Sequence, residues 1–165
     1  MLMDKEEIGY RQQQDDIAYR KQIVSTYKPD VERLIRYLPW LMEKAGSNVA
    51  ETFEGSGIKG SSITFPVYDS TLMSFIKDVQ RTTLLDRNYP YIYSRHRLRT
   101  LRDELRRIDR ASIMDMDILK GILSKYVLGG MTKARLWSEA VYNSIFLKVI
   151  RKMKENLEFW DKPMV

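Results

Sequence analysis

The chain has 165 residues, no cysteine and a formal net charge of +6. Those values exclude disulfides, thiolate catalysis and cysteine-bound metal, and the length suits one domain with a real core. At 44 % hydrophobic and 30 % charged residues, the composition is that of a globular protein rather than a disordered one.

From Met3 to about Thr26 the chain is polar with sparse apolar positions, Ile8, Ile17, Ile23 and Val24, with Tyr10, Tyr19 and Tyr27. The spacing predicts a helix with a thin apolar stripe, loosely attached over residues 1–27 unless a partner or the body covers it. Lys28-Pro29-Asp30 is expected to break it. A second helix follows to about Ala45 on Val31, Leu34, Ile35, Leu38, Leu41 and Met42, with Pro39 kinking it or starting a new turn. Gly46 ends that helix, and residues 54–64 read as a loop. Asp69 or Ser70 then caps a helix with Leu72, Phe75, Ile76 and Val79 inward. Asn88-Tyr89-Pro90-Tyr91 reads as a turn or a short extended piece, since the residue before a proline avoids the helical region.

Ser94 is the expected N-cap of the next helix, on which Leu98, Leu101, Leu105 and Ile108 share one face. Ser112 with Asp115 starts a helix through Leu128, stopped by Gly129-Gly130. Thr132 caps a long final helix with Leu136, Trp137, Ala140, Val141, Ile145, Val149 and Met153 inward, and the apolar tail around Phe159-Trp160 docks. The expected fold is all-α, a single-domain bundle of five or six helices over residues 1–165, with at most a brief extended hairpin near 58–68.

The charge is unevenly distributed. Residues 81–110 hold nine arginines and no lysine, against Asp86, Asp103, Glu104 and Asp109, whereas residues 1–80 are slightly acidic. Guanidinium groups bind phosphate or carboxylate bidentately and shed water more readily than ammonium groups, so the window predicts a surface for an anionic partner. Arg95, Arg99, Arg102 and Arg106 would form one helical stripe, with Arg97, Arg107 and Arg110 beside it. The bland alternative is a solvated face with weak ion pairs. Tyr91 and Tyr93, beside Tyr89, precede the stripe. Aromatics among arginines suit base stacking, although tyrosines at a proline turn more often pack as lids.

Other candidate chemistry is thinner. Gly55-Ser56-Gly57-Ile58-Lys59-Gly60 matches G-x-G-x-x-G literally, yet lacks the strand-to-helix setting of a dinucleotide site and reads as a flexible loop. His96 is the lone histidine, between Arg95 and Arg97, and is read as part of the binding face at best. Asp115 and Asp117 point to different sides of a helix, which argues against a two-metal site. The expectation is a protein without catalysis, metal or cofactor. Asp4, Glu6 and Glu7 stand where a secretory leader would begin, and no run approaches the ~18 apolar residues of a membrane span. A cytoplasmic protein without membrane contact is expected.

Several stretches, Thr64-Phe65-Pro66-Val67-Tyr68-Asp69, Arg87-Asn88-Tyr89, Ile122 through Lys133, and Met153 through Asp161, resemble an uncharacterised family of short mobile-element proteins of gut Firmicutes. The resemblance covers about residues 64–163 and carries no catalytic residues. It implies an accessory factor or an inhibitor of host defence, including the anti-CRISPR type. Simple DNA mimicry is disfavoured, because mimics are acidic and this chain is basic. The expected function is therefore a non-enzymatic helical protein that engages nucleic acid, or a nucleoprotein such as a Cas9-type effector, through an arginine-rich helix. The alternative is a protein–protein or homo-oligomerisation module with no nucleic-acid role.

Overall fold

In the computed structural model, residues 4–56 and 62–161 are described, with side chains for 4–50 and 69–161. Helix α1 runs Lys5–Leu34 and is started by Asp4, whose carboxylate accepts the Glu7 N–H at 2.8 Å. It passes straight through Pro29, where a break is expected from sequence. A proline removes one hydrogen bond, to the carbonyl four residues earlier. Here both Pro29 and Ser25 are exposed, so water can satisfy that carbonyl. Residues 4–16 are exposed throughout, and burial begins in earnest at Val24, followed by Val31 and Leu34. The expected loose N-terminal helix is thus the free half of a longer, anchored one.

A 3-10 turn at Ile35–Tyr37 leads into α2, Leu38–Lys44, and Pro39 occupies its first turn, where a proline is tolerated. Gly46 ends this segment at φ 77°, and its N–H donates to the Tyr142 carbonyl at 2.9 Å. Two strands follow, β1 at Ala50–Ser56 and β2 at Ser62–Tyr68, paired antiparallel with Ala50 opposite Tyr68 and Phe53 opposite Phe65. The hairpin therefore starts earlier than the 58–68 expected. Residues 57–60 of the glycine motif lie outside the described residues, but Gly55 and Ser56 end β1, whose neighbour β2 is antiparallel, so the motif is not in a strand-to-helix unit.

Helix α3, Ser70–Gln80, is as expected: Asp69 caps it, and Leu72, Phe75, Ile76 and Val79 are buried. Helix α4, Tyr89–Arg95, replaces the expected turn, because Pro90 sits in its first turn with φ preset for a helix. Helix α5 is Leu101–Arg110. The Ser112–Asp115 capping box closes a 3-10 turn at Ile113–Asp115, from which α6 runs Met116–Gly129. The long final helix expected after Thr132 is two helices, α7 at Arg135–Tyr142 and α8 at Ile145–Asp161. Ser144, at φ 62°, makes the break, and the residue at the N-cap of α7 is Ala134 rather than Thr132, whose hydroxyl donates to the Gly129 carbonyl at 3.2 Å. The fold is all-α apart from the hairpin, and the short α4 and the divided last helix bring the α-helices among the described residues to eight.

One apolar core joins the helices. Helix α6 is its axis, buried on nearly all sides from Met116 to Val127, and α8 packs against it, burying Phe146, Val149, Ile150 and Met153. Phe146 meets Phe75 with ring centroids 4.9 Å apart and Tyr126 at 6.4 Å. Each such side chain fully buried contributes about 1.5–3 kcal/mol of transfer free energy. Helix α4 docks on α6 where Gly121 leaves room: a Cβ there would lie 2.8 Å from Ile92 Cγ2.

Candidate functional site

The arginine window is built from two helices and a bend. Thr100 starts α5 with a capping box: its side chain accepts the Asp103 N–H at 3.1 Å, and Asp103 accepts the Thr100 and Arg99 N–H groups at 3.1 and 3.0 Å. These bonds hold the Asp103 carboxyl below its ordinary range, the Arg99 N–H first among them. The N-terminus of α5 is therefore already occupied by the chain's own carboxylate. Upstream, Arg97 at φ 54° turns the chain between α4 and α5.

The single stripe expected from Ser94 onward is corrected accordingly. Ser94 lies inside α4, Arg95 is its last residue, and Arg97 and Arg99 are in the bend. The leucine face changes with it. Leu98 and Ile108 are buried and Leu105 half-buried, but Leu101 is 37 % exposed. The deepest charged residue of the helix is Glu104, only 2 % exposed.

Glu104 is held on every side. The Tyr126 hydroxyl donates to Oε1 at 2.7 Å, the Tyr93 hydroxyl donates to Oε2, and Lys125 Nζ lies 3.3 Å from Oε2. The same ammonium sits over both rings, 5.0 Å from the Tyr93 centroid and 4.8 Å from that of Tyr126. One carboxylate thus ties α4, α5 and α6 together. Tyr93 is a packed member of this cluster, its hydroxyl committed. Tyr91 is the exposed tyrosine of α4, at 56 %.

On the outer side of α5, Arg102, Arg106 and Arg110 recur every fourth residue, a rise of about 6 Å per step. With Leu101, Leu105, Asp109 and Lys148 of α8 they line a shallow groove of about 560 Å³. Lys148 Nζ approaches Asp109 Oδ1 at 3.5 Å. None of the three arginines makes an ion pair or a side-chain hydrogen bond among the described residues. Four cations thus face one carboxylate over a floor of two leucines. Lys148 is a site residue that sequence reasoning missed, since it lies on α8, far along the chain. A second groove, between α2 and α8, carries Glu43 and Glu155 against Arg151 and Lys154 and has no preferred sign.

Arg107 turns the other way: its Nη2 lies 3.4 Å from His96 Nδ1. Burial first, then Arg107 and Arg95, hold the His96 imidazole below its ordinary value near 6.5, with Asp115 opposing weakly. A depressed histidine means the unfolded chain takes up the proton first. Stability from the neutral ring is therefore complete above about pH 6.5 and declines as pH falls toward the folded value. The melting midpoint of the wild type is expected to drop across that window relative to His96→Gln, which differential scanning calorimetry at stepped pH would show.

Among the described residues, no three His, Cys, Asp or Glu side chains gather to hold a metal, and no helix is long and apolar enough to cross a membrane. Fold and site together define an all-α protein with a basic, leucine-floored surface groove. No known protein family, curated protein or solved structure matches the chain.

Proposed function

We propose that this is a non-catalytic helical binding protein that grips nucleic-acid phosphates, free or carried by a nucleoprotein such as a CRISPR–Cas effector, through the α5–α8 groove. The observation that carries the reading is the row Arg102, Arg106 and Arg110, which makes no ion pair or side-chain hydrogen bond among the described residues and is joined by Lys148 from another helix. Arginine forks suit phosphate oxygens, and a row of them follows a strand rather than a point. Leu101 and Leu105 offer apolar contact between the charges. The resemblance to mobile-element proteins makes a guide-loaded effector the nucleoprotein to try first, as a target of inhibition.

The test is anisotropy with labelled duplex DNA, single-stranded RNA and a guide-loaded Cas9 complex across a salt series. For three or four duplex phosphate contacts, log K is expected to fall with log salt at a slope of roughly −3. Reversing Arg102, Arg106 and Arg110 to Glu should abolish binding with the melting midpoint nearly unchanged. Reversing Arg95, Arg97 and Arg99, which lie outside the groove, should weaken it only a few-fold. Equal losses from both triples would sink the groove and restore the undivided arginine window. Absence of binding to all three targets would remove the phosphate-binding reading.

A further inference from the structure

The groove leaves the free half of α1 unexplained. A polar helix segment that projects from a body is normally only marginally stable, because isolated helices shorter than ~12–15 residues are marginal in water. Here residues 4–16 are all exposed, including Ile8 at 50 % and Tyr10 at 64 %. The residues on one side of this segment fall into rows at seven-residue spacing, neighbouring positions on successive pairs of turns. The central row is Tyr10 and Ile17, continuing down the helix to the buried Val24. On one flank stand Glu6, Gln13 and Arg20; on the other, Glu7, Gln14 and Lys21.

Each flanking row begins acidic, passes through glutamine and ends basic. The acidic ends are at the exposed tip. The basic ends are where the helix meets the body, with Arg20 stacked over the half-buried Trp160 ring at 5.3 Å from its centroid. A row with that order is complementary to itself reversed. We propose that residues 6–21 of α1, fully exposed to Asp16 and half-buried at Ile17, Arg20 and Lys21, pair antiparallel with the same residues of a second copy, about a two-fold axis passing between Gln13 and Gln14.

In that arrangement Glu6 of one copy faces Arg20 of the other, and Glu7 faces Lys21. Tyr10 packs on Ile17 at both ends, and the glutamines meet like with like at the axis. A parallel pair would instead set carboxylates on carboxylates and cations on cations. The two-fold arrangement is isologous, so it closes at two copies and leaves no free end to extend. With only Tyr10 and Ile17 apolar on each side, charge supplies the specificity, and the pair is expected to weaken as salt rises. Nothing in this pairing uses the arginine groove, so it stands or falls separately from phosphate binding.

Sedimentation equilibrium of the full chain over a concentration series, at low and high salt, reads the outcome. The expected mass approaches twice that of one chain at low salt and moves toward the monomer at high salt. Glu6→Lys with Glu7→Lys should be monomeric, and so should Lys21→Glu with Arg20→Glu. An equimolar mixture of the two variants should regain the dimer, since the reversed charges again oppose. Lys21→Glu alone, which leaves the Trp160 stack in place, guards against loss of that contact as the cause. The proposal is overturned by a wild-type monomer throughout, by assembly beyond two copies, or by a mixture that stays monomeric while both variants melt as the wild type does.

Discussion

Gly130→Ala is expected to cost about 3 kcal/mol or more of folding stability, a large effect for a single methyl group. A Cβ at this position would lie 2.0 Å from Trp137 Nε1, 2.1 Å from Cδ1 and 2.7 Å from the Tyr126 carbonyl oxygen. The indole cannot simply retreat: Trp137 is 8 % exposed, and its N–H donates to the Val127 carbonyl at 3.0 Å. Gly130 itself has φ −67°, an ordinary helical value, so the cost comes from close approach and not from backbone strain. Gly46 is the converse case, with φ 77° and nothing within 4 Å of a Cβ. Gly46→Ala should cost only about 1 kcal/mol, as strain in the left-handed region. Urea unfolding of the two variants would read both values, with the midpoint falling much further for Gly130→Ala.

Glu104→Ala should be comparably damaging, about 3 kcal/mol, because it removes a buried acceptor from two phenols and an ammonium at once. Lys125, with a side chain 34 % exposed, can turn toward water, but Tyr126 at 5 % cannot. Glu104→Gln keeps an acceptor oxygen and should lose less. The same cluster predicts alkaline behaviour. Burial first, and then Glu104, hold the Tyr93 and Tyr126 phenols well above their ordinary range. A raised folded value means the unfolded chain releases the proton more readily. The stability of the neutral phenols is therefore complete below about pH 10 and declines as pH climbs from there toward the folded values. Tyr93→Phe with Tyr126→Phe should flatten that alkaline decline in a denaturation series, even though the variant starts less stable.

How much of this was legible in the sequence depends on how local each cause is. Helix α3 was readable because cap and periodicity agree: Asp69 stands just before Leu72, Phe75, Ile76 and Val79. The start of α5 was misplaced: the sequence points to a cap at Ser94 and so lines the arginines up as one stripe, whereas the capping box is Thr100 with Asp103. The decision belongs to Arg97, whose left-handed φ leaves little trace in residue type. Pro29 misleads because a proline breaks a helix only where the freed carbonyl has no other partner, and that depends on exposure. Glu104 was the least visible, since a buried glutamate among arginines reads as surface. Its reason lies in Tyr93, Tyr126 and Lys125, all on other helices. Lys148 completes the groove from α8, and no local pattern could have placed it beside Arg106.

The unbroken passage of α1 through Pro29 makes the helix a lever. Its free arm, residues 5–16, is about 18 Å long at 1.5 Å per residue. Its fulcrum is the buried stretch Val24, Val31 and Leu34. Lys28 Nζ bonds Asp161, the last residue of α8, at 2.8 Å beside that stretch, both side chains being partly exposed. The same α8 carries Lys148, and with it one wall of the arginine groove. Free arm and groove are thus carried by two helices that pack against each other, α1 and α8, at opposite ends of α8.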